Sequence, residues 1–312
     1  MENKTELLTK IAQDYYISGL SIGQIVDKYH LSRYLVNKYL EEAKQEKIVT
    51  ITIHTPLERQ RDLEKKIHDL FDIDNIYIIK DSQDTCDQES HVITFAASEI
   101  FRHIQASRIV GTVWGETISE IIEQFPQVML EDCTFTQFIG ENKKYKSKAG
   151  TMRMVQKIAD KFSANYLTLS GPLYIAEPNT RKGMLEEFSS QPTLAAAKQM
   201  DLIFCGLGTL ASLKSIPIWR DHLKTLFPKI NTGDIAGMAY GRPYDIHGNF
   251  LNQDSDCTFG IDLATIFKVP KRICVVRSKF KSQATIGALR GRLFTDLILT
   301  ESVARRLLDD LK

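Results

Sequence analysis

From Lys4 to Lys47 apolar residues recur at spacings of three and four with no proline among them, and this period predicts helix almost throughout. Leu7, Leu8, Ile11 and Tyr15 share one face of a first helix, which should stop near Ser18-Gly19 because glycine suits a C-terminal cap. Ser21 and Gln24 stand at capping-box spacing and open a second, short helix with Ile22, Ile25, Val26 and Tyr29 as its apolar face. After His30-Leu31 comes Ser32, a good N-cap, and then a third helix through Lys44 with Leu35, Val36, Tyr39 and Leu40 turned inward.

Two short helices joined by a tight turn form the helix-turn-helix pattern, whose second helix lies in the DNA major groove. Ser32, Arg33, Tyr34, Asn37 and Lys38 are the candidate DNA-binding residues, at the start and on the outer face of the third helix. Arginine pairs with guanine, asparagine with adenine and lysine with backbone phosphate. Val26 and His30 are bulkier than the alanine and glycine usual at the helix crossing and the turn, but histidine tolerates the left-handed conformation better than most residues. The same periodicity also suits a plain three-helix bundle with a solvated polar face. Charge does not decide between them, since residues 1–55 hold seven Lys/Arg and seven Asp/Glu.

Ile48 to His54 alternates like a strand leaving the bundle, and Pro56 breaks it. Leu57 to Phe71 is charge-rich, with Leu63, Ile67, Leu70 and Phe71 at helical spacing, and reads as a connecting helix available to a subunit interface. Beyond residue 73 short apolar runs alternate with helical stretches. Strands are expected at Asn75 to Ile79, Arg108 to Val113, Thr134 to Ile139, Asn165 to Leu169, Leu202 to Leu207 and Arg272 to Val276. Helices are expected at His91 to Gln105, Thr117 to Gln124, Thr151 to Ser163, Gly183 to Phe188, Gln191 to Lys198 and Glu301 to Leu311. Such alternation predicts an α/β fold with a largely parallel sheet, whose ligands sit at the carboxyl ends of strands. The expected division is a helix-turn-helix domain over residues 1–54 and an α/β effector domain over residues 55–312.

Composition narrows the function classes. With 43% apolar and 25% charged residues the 312-residue chain is an ordinary globular one. Lys and Arg number 40 against 39 Asp and Glu, so no global basic excess announces a nucleic-acid partner and DNA binding must rest on local pattern. No apolar run approaches the roughly 20 residues needed to cross a bilayer, and no signal peptide is legible at the N-terminus. A cytoplasmic protein without a membrane partner is expected. Its five cysteines are scattered without a C-x-x-C pair and read as free thiols. His91, His103, His222 and His247 show no metal spacing, and the pattern calls for neither metal nor cofactor.

One strand-to-helix junction stands out, Gly111-Thr112-Val113-Trp114-Gly115-Glu116-Thr117. Unpaired N–H groups and the helix dipole favour an anion there, and Thr112 and Thr117 add hydroxyls. Trp114 suits either a sugar face or the core.

With these residues go Leu31-Ser32-Arg33, Val36, Ala43, Ile48-Val49, Gln137 with Gly140, Pro172, Gly206-Leu207-Gly208, Gly233-Asp234, Asp245 with Gly248, and Ala288-Leu289-Arg290-Gly291. In order and spacing, over nearly the whole chain, they resemble the SorC family of bacterial sugar-responsive transcriptional regulators. The resemblance implies a Rossmann-like effector domain related to sugar-phosphate isomerases and deaminases, used to sense a phosphorylated sugar. It places Lys281 where the family has its effector-site lysine. Three positions depart from it: Arg277-Ser278 replaces a glycine pair, Leu299-Thr300-Glu301 replaces Thr-Asp-Glu, and Glu116 stands where arginine is frequent.

The candidate effector-binding residues are therefore Gly111, Thr112, Trp114, Gly115, Thr117, Gln137, Asp234, Lys281 and Glu301. The amides around Gly115 and the Lys281 ammonium would hold the phosphate, with Arg277 as the alternative cation. Gln137, Asp234 and Glu301 would accept hydrogen bonds from sugar hydroxyls. The expected function is a non-enzymatic, DNA-binding regulator of a carbohydrate-utilisation operon, acting as a dimer or tetramer on operator DNA. The rival is a sugar-phosphate isomerase or deaminase with an accessory helical domain. Against it stands the lack of a carboxylate and histidine constellation at general acid–base spacing.

Overall fold

The computed structural model describes residues 4–49, 57–81, 88–142 and 154–312. The chain divides into two compact units, Met1–Pro56 and Leu57–Lys312.

The first unit contains α1 (Lys4–Tyr16), α2 (Ile22–Tyr29) and α3 (Arg33–Gln45). Ile11, Ile25, Val36 and Leu40 meet in its core, drawn from all three helices as the three-and-four spacing requires. Gly19 takes φ 67° after α1. The Asp14 carboxylate accepts hydrogen bonds from Lys28 Nζ at 2.8 Å and Tyr29 Oη at 2.7 Å, tying α1 to α2. Ile48 and Val49 pack beside Leu8, Ala12 and Ala43. The strand expected over Ile48 to His54 falls mostly outside the described residues.

The second unit opens with α4 (Arg61–Leu70), followed by β1 (Asn75–Ile79), α5 (Gln88–Ile104), β2 (Ile109–Thr112), α6 (Glu116–Gln124), β3 (Thr134–Thr136), α7 (Met154–Phe162) and β4 (Asn165–Leu167). Then come α8 (Pro178–Glu186), α9 (Gln191–Ala197), β5 (Leu202–Gly206), three short helices α10 (Leu210–Lys214), α11 (Pro217–Asp221) and α12 (Leu223–Leu226), and the hairpin β6 (Gly237–Ala239) and β7 (Arg242–Tyr244). The chain closes with α13 (Leu263–Phe267), β8 (Lys271–Val276), α14 (Ser282–Arg290), β9 (Asp296–Thr300) and α15 (Glu301–Asp310).

Seven strands form one parallel sheet in the order β1-β9-β8-β5-β2-β3-β4. Alternation along each strand divides the core in two. On β5, Ile203 and Cys205 join one layer with α4, α14, α15 and the hairpin, while Leu202 and Phe204 join the other with α5, α6 and α7. Strands β2, β3 and β4 advance in one direction with their helices on one face. The chain then returns to β5 and advances the opposite way, through β8 and β9, with its helices on the other face. Right-handed crossovers demand this exchange of faces when the direction reverses. The result is a doubly wound α/β sandwich whose topological switch point lies between β2 and β5, where such folds bind ligands.

Several sequence expectations change here. The helix after Pro56 contributes to the core of its own unit: α4 buries Leu63 and Ile67 there while Leu70 stays exposed, and the Arg59 guanidinium pairs with Glu64 at 2.8 Å. Strand β3 stops at Thr136, three residues short of Ile139, because the chain from Gln137 onward bridges to Gly260 and Pro172 instead. The helix expected from Gly183 begins at Pro178 behind the Glu177 N-cap. β9 and α14 were not expected at all; every residue of β9 is buried, and α14 buries small polar residues, Ser282 and Thr285, along with its apolar ones, so neither shows a clear period. Among the described residues no helix is long and apolar enough to cross a membrane.

Candidate functional site

A cavity of about 600 Å³ opens at the switch point. Its floor comes from the carboxyl ends of β2 and β5 and the loops that follow, Val113 to Thr117 and Leu207 to Thr209. Arg277, Ser278 and Lys281, beyond the end of β8, close one side, while Ile139, Asn142, Leu173 and Tyr174 close the other. Residues of α10 and α11, including Ser212, Ile216 and Trp219, complete the wall.

Both tryptophans of the chain line this space. Trp114 and Trp219 lie with ring centroids 6.5 Å apart, and Tyr174 meets Trp219 edge to face at 5.2 Å. They form an aromatic wall able to cover the apolar face of a sugar ring. Opposite in character is the start of α6. Gly115, the residue before the helix, has φ 154° and ψ 148°, a region that essentially only glycine adopts, and as a glycine it brings no capping side chain of its own. The first N–H groups of a helix have no partner within it, and the residues at this start, Gly115 to Thr117, line the cavity.

The ammonium of Lys281 donates to the Leu207 carbonyl at 2.6 Å. Burial lowers its pKa from the ordinary lysine value, partly offset by neighbouring acidic groups. An anion would restore the lost solvation. Arg277 is gripped by both carboxylate oxygens of Glu120, at 2.5 and 2.9 Å. Asn142 is 9% exposed, and its Oδ1 has no hydrogen-bond partner among the described residues.

Of the candidate effector residues, Trp114, Gly115, Thr117 and Lys281 line the cavity. The structure gives the others different work. Gly111 is packed so closely that a Cβ would lie 2.2 Å from Met200 Sδ. Thr112 Oγ1 donates to the Phe204 carbonyl at 3.1 Å, joining β2 to β5. Gln137 Oε1 accepts from the Leu169 amide at 2.8 Å, joining the chain beyond β3 to that beyond β4. Asp234 lies in an exposed turn with Asn231. Glu301, at the start of α15, accepts from Gln60 Nε2 at 3.1 Å and from Arg305 Nε at 2.7 Å. Asn142, Tyr174, Thr209, Ser212 and Trp219 were missed by sequence. Only Thr209 and Ser212 left a signal, a capping-box spacing behind Gly206-Leu207-Gly208.

In the first unit α2 and α3 are joined through His30-Leu31-Ser32. Ser21 and Gln24 form a reciprocal capping box, His30 takes the left-handed conformation with φ 52°, and Ser32 Oγ accepts from the Leu35 amide at 3.2 Å. Arg33, Tyr34, Asn37 and Lys38 are exposed on α3, Tyr34 to 73%.

Comparison with known proteins agrees with this architecture. Residues 55–309 match the family described as "Putative sugar-binding domain". The sorbitol operon regulator of Klebsiella pneumoniae is 22% identical over 99% of this chain and 100% of its own length. The deoxyribonucleoside regulator of Bacillus subtilis is 22% identical, with 99% of each chain covered. The full-length structure of the sorbitol operon regulator SorC from Klebsiella pneumoniae superposes with a TM-score of 0.69 over 97% of this chain and 99% of that one, at 22% identity. By the family match over residues 55–309 and the relatives matched along its whole length, the chain is a member of the SorC family and carries that family's sugar-binding domain.

Proposed function

We propose that this protein is a DNA-binding transcriptional regulator of a carbohydrate-utilisation operon, controlled by a phosphorylated sugar bound at the β2–β5 switch point. The observation that carries the reading is the cavity itself, which sets a half-buried lysine and a helix N-terminus headed by a glycine beside an aromatic wall. The first two suit a phosphate and the third suits a sugar ring. The capped helix pair of the first unit, with Arg33, Tyr34, Asn37 and Lys38 outward, supports the DNA-binding half. Relatives named as regulators, one of them of an operon, support a regulatory rather than an enzymatic role.

Control then works by population shift: the effector binds one state of the regulator better than the other, and operator affinity changes by that difference. A single recognition helix reads too few base pairs for tight binding, so a dimer or tetramer on a two-fold site is part of the proposal. Fluorescence anisotropy with labelled DNA from the region flanking the protein's own gene tests it, with sugar phosphates titrated in turn. One of them should change operator affinity sharply. Absence of sequence-specific binding, or turnover of a sugar phosphate in the same solutions, would overturn the reading.

A further inference from the structure

Several hydroxyls of the cavity wall are spent within the protein. Tyr174 Oη donates to the Gly241 carbonyl at 2.6 Å, the Thr209 and Ser212 hydroxyls meet at 3.1 Å, and Ser215 Oγ donates to the Ser212 carbonyl at 2.7 Å. Asn142 differs: it lines the same cavity, it is 9% exposed, and its Oδ1 is enclosed with no hydrogen-bond partner among the described residues. An enclosed acceptor left unpaired costs the fold stability, so its retention calls for a partner from outside the chain. The backbone that delivers it is firmly held. The Glu141 N–H donates to the Gly171 carbonyl at 2.8 Å, the Leu173 N–H donates to the Glu141 carbonyl at 2.9 Å, and a Cβ at Gly140 would lie 2.3 Å from the Pro172 carbonyl oxygen. The freedom left to the Asn142 amide is rotation about its soft terminal torsion, enough to turn the oxygen to a ligand.

Asn142 stands with Ile139, Leu173 and Tyr174 on the wall facing Lys281. A carboxamide is neutral and offers both an acceptor and donors, which matches a hydroxyl and gives a phosphate no counter-charge. We infer that Asn142 is a specificity-determining residue, hydrogen-bonded to a hydroxyl of the sugar when the phosphate lies at Lys281 and the start of α6. The hydroxyl satisfies an oxygen that is otherwise enclosed and unpaired, and a ligand without it leaves that oxygen as it is in the empty cavity. Bare phosphate, held at the opposite wall, gains nothing from Asn142. This inference rests on the phosphorylated-sugar reading above and assigns the part of the cavity that reads the sugar.

Isothermal titration of the intact chain tests it with four probes: inorganic phosphate, glucose 6-phosphate, fructose 6-phosphate and ribose 5-phosphate. At least one sugar phosphate should bind the wild type more tightly than inorganic phosphate does. Asn142→Leu, similar in size but without polar atoms, should weaken that sugar phosphate by about five- to a hundredfold and leave inorganic phosphate within about twofold of the wild type. Asn142→Ala should show the same split, and it covers the case in which the branched leucine disturbs the wall. Thermal unfolding without ligand separates this role from a structural one: a group the empty protein does not use can be lost freely, so Asn142→Leu should keep or raise the wild-type midpoint. Loss of both ligands alike with a lowered midpoint, loss of neither, or no sugar phosphate that outbinds phosphate overturns the role of Asn142 and leaves the anion site in place. If the wild type binds none of the four probes, the phosphate reading fails and this inference with it.

Discussion

Burial sets the Lys281 pKa below that of an ordinary lysine, so its charge is lost at a lower pH than usual. An anion favours the charged form and pulls the pKa back up, which couples binding to protonation. Effector affinity should therefore fall as pH rises through the depressed pKa, before the ordinary lysine value of about 10.4 is reached. It should fall again below about pH 6, where phosphate gains a proton. Titration calorimetry across this range should give a bell-shaped profile; affinity that stays flat to high pH would remove Lys281 from the site. Lys281→Ala should weaken phosphate binding by about ten to a hundred fold, from a charge-assisted contact of roughly 1.5 to 3 kcal/mol. Arg277→Ala should do less, because Glu120 already occupies that guanidinium. On α3 the corresponding pair is Arg33 and Asn37. Replacing either by alanine should cost roughly 1 to 3 kcal/mol of operator affinity and relax the sequence preference, as read by competition with mutated operators. At this scale the sequence was informative where chemistry is carried by a motif, as at Trp114-Gly115-x-Thr117. It was silent for Asn142 and Trp219, which reach the cavity from distant segments and sit in no pattern of their own.

Helix ends were the most legible elements. The Ser21 and Gln24 box, the Ser32 cap and the left-handed His30 all rest on local hydrogen bonding and sterics, which act between residues a few positions apart. Ser21→Ala should accordingly cost about 1 kcal/mol of stability, measured as a loss of helical circular dichroism at lower urea concentration. Close backbone contacts were legible only as glycines without a stated purpose. Gly248, at φ 87°, would place a Cβ 2.3 Å from the Gly291 backbone, so two glycines 43 positions apart in the sequence prove to be one packing contact. Gly248→Ala should destabilise the second unit by about 1 to 3 kcal/mol in the same denaturation experiment, since backbone has little room to yield. A wild-type midpoint would mean that the turn at Asp245 to Asn249 can move away from α14. The segment after Pro56 was legible as a charge-rich helix, but not the use its own unit makes of it. Leu63 and Ile67 fill places prepared by β1 and α15.

For the whole molecule the proposed regulation carries a thermodynamic obligation. If a sugar phosphate changes operator affinity by some factor, the operator must change sugar-phosphate affinity by the same factor. Titrating effector into the protein with and without saturating operator DNA measures one factor, and anisotropy with and without effector measures the other. Unequal values would show that more than these two ligands and one assembly state take part, which sedimentation of the same samples would reveal. The sequence by itself determined the helix-turn-helix pattern, the alternation of strands and helices and the anion-favouring start of α6, because each follows from periodicity or capping within a short stretch. Only the tertiary structure decided where the cavity lies and which residues line it. The reversal between β2 and β5 brings together the loop after Gly111, the loop after Cys205, the turn holding Lys281 and the segment at Asn142. It also left Gln137, Asp234 and Glu301 outside the walls of the cavity. Strand order is fixed by how two apolar layers close over both faces of the sheet, and that packing joins residues hundreds of positions apart, beyond the reach of any local pattern.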